Sequence, residues 1–177
     1  MKIKEVKSHI IQYDLKEELG YSQQYYQKRT GHLVEVVTDE GITGWGECFG
    51  PGNVAIANKV IVERVIQPMI LEENPLNRDV LWHKVYNLLR DHGQKGMPIQ
   101  ALSGVDIALW DILGKVTGLS ISRLIGGRFR EQVPVYGYGM MLRREKLPAL
   151  MDRFEDEAAA IKSCLLYTSD AADDVAS

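Results

Sequence analysis

Ala101-Leu102-Ser103-Gly104-Val105-Asp106-Ile107-Ala108-Leu109-Trp110-Asp111-Ile112-Leu113-Gly114-Lys115 is the stretch whose reading decides the fold. Ala101, Val105, Ala108, Leu109, Ile112 and Val116 recur at helical spacing and define one face of a helix predicted over about residues 99–117. Gly118 stands where a helix end favours a left-handed residue. Ser103, Gly104 and Ala108 are small, which lets a neighbouring backbone approach closely. Asp111 and Lys115, four apart, can pair on the exposed side. Charged residues of this kind are usually solvated or paired, so Asp106 and Asp111 read as structural rather than chemical groups.

Downstream, residues 120–125 suggest one short further turn of helix, stopped by Gly126-Gly127. Residues 133–141, Val-Pro-Val-Tyr-Gly-Tyr-Gly-Met-Met, form a strand candidate, and about 147–163 a helix candidate. Strand followed by helix is the first unit of an α/β architecture. Residues 164–177 have no continuity with what precedes them and resemble a translated sequencing adaptor, so they are read as a non-native tail.

Upstream of the central helix, Asn77 is a plausible N-cap for a helix with Asp79 in its first turn and a stripe of Val80, Leu81, Val85, Leu88 and Leu89. Before it, Val54, Ala57, Ile61 and Val65 mark one helical face, Lys59 and Glu63 pair four apart on the other, and Pro68 ends or kinks the helix. The first fifty residues read as strands. A β-branched run at 33–38, a turn at Asp39-Glu40-Gly41 and a returning run at 42–48 predict a hairpin, with an opening strand around Ile3, Val6 and Ile10. The polar, tyrosine-rich residues 16–30 between the first two strands are read as a long loop, a feature uncommon unless functional.

Bulk properties narrow the function classes. A chain of 177 residues is long enough for one domain, or one domain and part of a second. The 21 basic and 24 acidic residues leave a net charge of −3, and three of those acids, Asp170, Asp173 and Asp174, lie in the odd tail, so the rest is neutral. Such a balance argues against nucleic acid or an anionic membrane as partner. Two cysteines, Cys48 and Cys164, make no disulfide framework, and no apolar run approaches the roughly 20 residues of a membrane span. The N-terminus lacks a signal peptide's apolar core, which makes the cytoplasm the default location. His9, His32, His83 and His92 show no metal-ligand spacing.

Residues 101–115, continuing through Leu124-Ile125-Gly126-Gly127, resemble the first signature of the mandelate racemase and muconate lactonising group of the enolase superfamily. The hairpin ending Gly44-Trp45-Gly46-Glu47 fits the same group, and the resemblance covers residues 1 to about 163. Within the group, Trp45-Gly46-Glu47-Cys48, Gly50-Pro51 and residues 88–96 are most similar to galactarolactone cycloisomerases, with sugar-acid dehydratases nearly as similar. The resemblance implies an α+β N-terminal cap domain over residues 1–126, an antiparallel sheet followed by helices. It also implies the first strand and helix of a truncated (β/α) barrel over 127–163, and a longer parent enzyme of which this chain is an inactive part.

The same resemblance implies that the parent uses Mg²⁺ and abstracts a proton α to the carboxylate of a small sugar acid or lactone, as a homo-oligomer. The metal would stabilise the charge that develops on the carboxylate oxygens, while a Lys or His takes the proton. By resemblance those groups belong to the ends of later barrel strands, so no catalytic or metal residue is assigned in this chain. Two capping loops would help shape the substrate pocket: one carrying Tyr21, Ser22, Gln23, Tyr25 and Tyr26, the other the stretch after Glu47. Hydroxyl and amide groups there suit a polyhydroxylated acid. Arg90, His92 and Lys95 read as a surface turn, and Tyr138 and Met141 as packing residues. The alternatives are dehydration or racemisation by the same group, or, from another class, a stand-alone α+β binding domain.

Overall fold

The structure, a computed structural model, describes residues 1–21 and 24–132. These fall in two compact units, one of residues 1–15 and 28–132, the other of 16–21 and 24–27. The strand and helix expected over 127–163 lie, past residue 132, outside the described residues, as does the tail.

Three strands form one sheet in the order β1-β2-β3: β1 is Ile3–Tyr21, β2 is Gln24–Thr38 and β3 is Thr43–Cys48. The predicted hairpin is present. β2 and β3 pair antiparallel from His32 opposite Cys48 to Val37 opposite Thr43, and Gly41 takes φ 80° in the connecting turn. The expected loop over residues 16–30 is instead strand, since β1 runs to Tyr21 and β2 begins at Gln24. Ile11, Gln12, Tyr13 and Asp14 are all exposed, so neither face of the ribbon is buried there and the sequence carries no alternation to read. Cross-strand pairs sustain it: Gln12 with Thr30, Lys28 with Asp14, and, in the second unit, Gln27 with Glu18.

Helices cover one face of the sheet. They are α1 (Val54–Val60), a π-helical segment (Ile61–Ile66), α2 (Gln67–Ile70), α3 (Arg78–Leu89), α4 (Met97–Thr117) and the short α5 (Ile121–Leu124). The core holds Val6, Val34 and Val36 of the sheet, Val62, Ile66 and Ile70, Val85 and Leu89 of α3, and Val105, Leu109 and Ile112 of α4. α4 starts at Met97, two residues earlier than the spacing predicts, because Pro98 sits in the first turn, where its missing N–H costs no helical bond. Gly118 closes it at φ 68°. Val116, expected on the buried face, is exposed. Lys115 already reaches Thr43, the first residue of β3, so the next turn has outrun the strand.

Two other helical faces differ from expectation. On α3, Leu81, Val85 and Leu89 are buried while Val80 and Leu88 are exposed, because α3 packs by a narrow face. On the preceding helix the buried residues are Ala55, Asn58, Val62, Ile66 and Ile70, so Val54, Ala57, Ile61 and Val65 lie one position off the inward line and are only half buried. A polar residue, Asn58, occupies the inward face and hides it from an apolar count. The π segment then carries the face onward at spacings of four, with the Gln67 N–H bonding Val62 O, five residues back. This wider register also accommodates Pro68, so the helix continues to Ile70 rather than ending.

β3 and α4 meet almost backbone to backbone. A Cβ on Gly44 would overlap the Ala108 carbonyl and lie 2.6 Å from Ile112 Cγ1. One on Gly46 would overlap the Gly104 carbonyl and lie 2.8 Å from Ala108 N. One on Gly104 would overlap Cys48 Sγ. The signature residues of α4 also finish the sheet. Asp111 Oδ2 accepts the Trp45 N–H at 2.8 Å, and Lys115 Nζ donates to Thr43 O at 2.6 Å and pairs with Asp111 at 2.7 Å. At the opposite edge Glu63 Oε1 accepts the Ser8 N–H at 3.2 Å and Lys59 Nζ donates to Ser8 O at 3.2 Å. Nearer the start of β1, Ile3 exchanges backbone bonds with Glu72 and Glu73. Asp106 is structural as well, holding Arg78 Nη1 at 2.8 Å while the guanidinium lies 4.0 Å over the Trp110 ring.

Two outcomes follow from this packing. Gly46→Ala is expected to destabilise the fold by about 3 kcal/mol, the upper range for overpacking, because the clash is with backbone that cannot rotate away. Gly31→Ala, where nothing lies within 4 Å, stays within about 0.5 kcal/mol. Urea unfolding of both variants measures the contrast. Asp111→Ala, which orphans the Trp45 N–H and unpairs Lys115, is expected to cost about 1–2 kcal/mol, and Asp111→Asn, which keeps an acceptor, less than half of that. Thermal melts compare the two.

Candidate functional site

The first candidate segment is the tip of the β1–β2 ribbon. Tyr21 ends β1, and Tyr25 and Tyr26 lie near the start of β2, half buried, so these three residues stand on strands rather than in the expected loop. Ser22 and Gln23 lie outside the described residues. The described part is rich in phenol groups, and its tyrosines, which favour strand, were the signal to read.

The second is the chain leaving β3. Glu47 is exposed on the face of β3 away from the helices, opposite Leu33 of β2. Cys48 turns inward. Burial pushes its thiol up to about 12, which makes it a packing residue and not a nucleophile. Phe49, 71% exposed, then projects at the head of a turn through Gly50, Pro51 and Gly52 into α1. Asn58 anchors this turn. It is fully buried, and its Nδ2 donates to Phe49 O at 2.8 Å and to Gln100 Oε1 at 3.1 Å. Gly50 packs on it so tightly that a Cβ would lie 3.0 Å from Nδ2 and 3.1 Å from Ala55 N. Asn58 was missed in the sequence; an amide interrupting an otherwise apolar line at 55, 62, 66 and 70 is the mark that betrays it.

Other polar groups of the sheet are structural. On its outer face His9 Nε2 lies 2.8 Å from Glu35 Oε2 and its ring 5.4 Å from that of Trp45. His32, on the inner face, is fully buried and neither ring nitrogen has a partner among the described residues. Arg90, His92 and Lys95 are exposed around a 3₁₀ turn, Arg90–His92, as expected of a surface connection. Among the described residues no three of His, Cys, Asp or Glu come together in a way that fits a metal ion. No helix among them is long and apolar enough to cross a membrane.

A three-stranded antiparallel sheet backed by helices, with a tyrosine-rich ribbon and a pinned turn after its last strand, defines an α+β cap architecture. The sequence pattern of the mandelate racemase / muconate lactonizing enzyme N-terminal domain matches residues 11–126, and the chain belongs to that family. It is 40% identical over 159 residues to the D-galactarolactone cycloisomerase of Agrobacterium fabrum, covering 90% of this chain and 40% of that enzyme. It is 34% identical over 128 residues to the arabinonate dehydratase of Saccharolobus solfataricus, covering 72% of this chain and 33% of that one. A solved member of the enolase superfamily from Polaromonas sp. JS666 superposes with a TM-score of 0.77 at 30% identity, over 90% of this chain and 42% of its own. The chain thus spans well under half the length of the enzymes it matches.

His32 gives the domain a pH dependence. Burial, and then the positive charge of Lys59, hold its pKa below the usual imidazole value, against a smaller opposing pull from Glu63. Above about pH 6.5 the ring is neutral folded and unfolded, and stability is unaffected. Below it the unfolded chain takes up a proton that the folded core refuses, so stability falls with pH until the lowered folded value is reached. The melting temperature is expected to drop from pH 7 toward pH 5. In His32→Leu that part of the slope should vanish, which melts across the range will register.

Proposed function

We propose that residues 1–126 are the substrate-capping domain of a Mg²⁺-dependent enzyme that abstracts a proton α to a carboxylate, and that its reaction is cycloisomerisation of a sugar-acid lactone. The observation that carries this reading is the 40% identity, over 90% of the chain, to a D-galactarolactone cycloisomerase. Dehydration of a sugar acid is the second reading, favoured by the arabinonate dehydratase relative. Residues 127–163 are the opening of the catalytic barrel and 164–177 a non-native tail. The parent works in the cytoplasm as a homo-oligomer on small carboxylates.

In this reading the chain's own residues do no proton transfer. When bound elsewhere in the parent, Mg²⁺ supplies charge stabilisation to the enolised carboxylate. The cap contributes recognition and exclusion of water. Tyr21, Ser22, Gln23, Tyr25 and Tyr26 offer phenol, hydroxyl and amide groups to substrate hydroxyls. A site built on such bonds rejects analogues lacking a hydroxyl by large factors, because its own polar groups are then left unpaired. Glu47 and the turn after it form the second contact. Covering a reaction centre also strengthens the electrostatic interactions within it.

The test compares two lengths. The 177-residue chain is expected to show no Mg²⁺-dependent conversion of D-galactarolactone. The chain extended along its source reading frame past the Ser163 codon is expected to convert it, with loss of activity on chelation. Turnover by the 177-residue chain, or a longer frame that acts on neither lactones nor sugar acids, overturns the reading.

A further inference from the structure

We infer that Asn58 is a positioning residue that sets the turn of residues 49–53 through its side-chain amide, a role that gains its functional meaning from the capping function proposed above. Three observations converge on it. Apart from Asn58, the turn is held by backbone bonds from the start of α1, Val54 N–H to Pro51 O at 3.2 Å, Ala55 N–H to Gly52 O at 3.3 Å, and the Ile56 and Ala57 N–H groups to Asn53 O at 3.1 and 3.4 Å; none of them reaches Phe49, which is 71% exposed. Asn58 is the fully buried polar group beneath it, and its two Nδ2 hydrogens go to Phe49 O and to Gln100 Oε1. One side chain thereby ties the turn to α1 and to the first turns of α4. Gly50 completes the fit, since any side chain there would press on Asn58 and on the Ala55 backbone.

The chemistry asks for a donor. Phe49 O is a backbone carbonyl fixed in place, so an amide or another N–H or O–H satisfies it and a carboxylate repels it, whereas the Gln100 amide can turn to offer either its oxygen or its NH₂. Burying a polar group without partners is costly, and Asn58 Oδ1 has none among the described residues, so the two bonds from Nδ2 are what offset its burial. The amide thus fixes the backbone from which Phe49 projects, one residue after inward-facing Cys48 and two after Glu47. It reaches any ligand of the cap only through that turn.

Asn58→Asp separates this role from simple filling of space, because it keeps the shape and replaces the donor. At pH 7 the carboxylate faces the Phe49 carbonyl, which cannot turn away. We expect hydrogen exchange at the Val54 and Ala55 amides of the 177-residue chain to lose about tenfold in protection, the equivalent of one hydrogen bond. The amides of Val105 and Leu109 in α4 should keep theirs. At pH 5 the buried carboxyl, whose pKa burial and the facing Phe49 carbonyl raise, regains a proton and donates to Phe49 O. Protection relative to the unsubstituted chain at the same pH then returns. Unchanged protection at pH 7, an equal loss in α4, or no recovery at pH 5 overturns the inference. Gln100→Ala is the second variant, which stands even if the first fails to fold. It removes one partner and leaves the Phe49 bond, so a loss of about threefold confined to the turn supports the inference and none overturns it. In the extended chain, Asn58→Asp should raise KM for D-galactarolactone more than it lowers kcat. A loosened turn with unaltered KM overturns the capping function and leaves the positioning role standing.

Discussion

The near contact of two backbones, β3 against α4, is the constraint on which the rest of the domain depends. Gly44 and Gly46 on the strand and Gly104 and Ala108 on the helix let the two elements touch with almost no side chain between them. Only at that separation can Asp111 and Lys115 reach past the helix to the strand's outer backbone. The most recognisable stretch of the sequence is therefore a packing device. Its small residues set a distance, and its two charges use that distance.

The same logic operates on the far side with different residues. β1 presents its free backbone at Ser8, and an acid and a lysine four apart on the neighbouring helix take the N–H and the C=O. In both places charges that read as an ordinary solvated helix pair serve a strand edge instead. Exposed pairs of this type contribute little through their mutual attraction. Their value lies in satisfying backbone groups that would otherwise be offered to another chain.

How much of this was legible in the sequence depended on whether one face of an element was buried. The hairpin of residues 33–48 and the helix around Ala108 each bury a single face, and their periods of two and of nearly four stand out. The ribbon formed by Gln12, Asp14, Lys28 and Thr30 is wet on both sides, so no alternation marked it as strand and only the tyrosines near its tip pointed that way. The helix beginning at Val54 misled differently. Asn58 replaced an apolar residue on the inner line, and the π turn kept that line at spacings of four, which a regular α-helix would not hold. Family membership was readable from residues 101–127 because packing constraints leave long, rigid signatures. The candidate site was legible only in outline: Tyr21, Tyr25, Tyr26 and Glu47 fall at ends of strands, whereas the anchoring role of Asn58 needed coordinates to be seen.

Closed edges also decide how such a domain can be built upon. A sheet with an open edge grows sideways, by accepting another strand from its own chain or a neighbour's. Here both flanks are occupied by side chains and by the Glu72–Glu73 backbone, so lateral growth is barred at those points. At Ile3, Ser8, Thr43 and Trp45 another surface can therefore meet the sheet only through its faces and turns, and what is joined there leaves the register of β2 and β3 undisturbed.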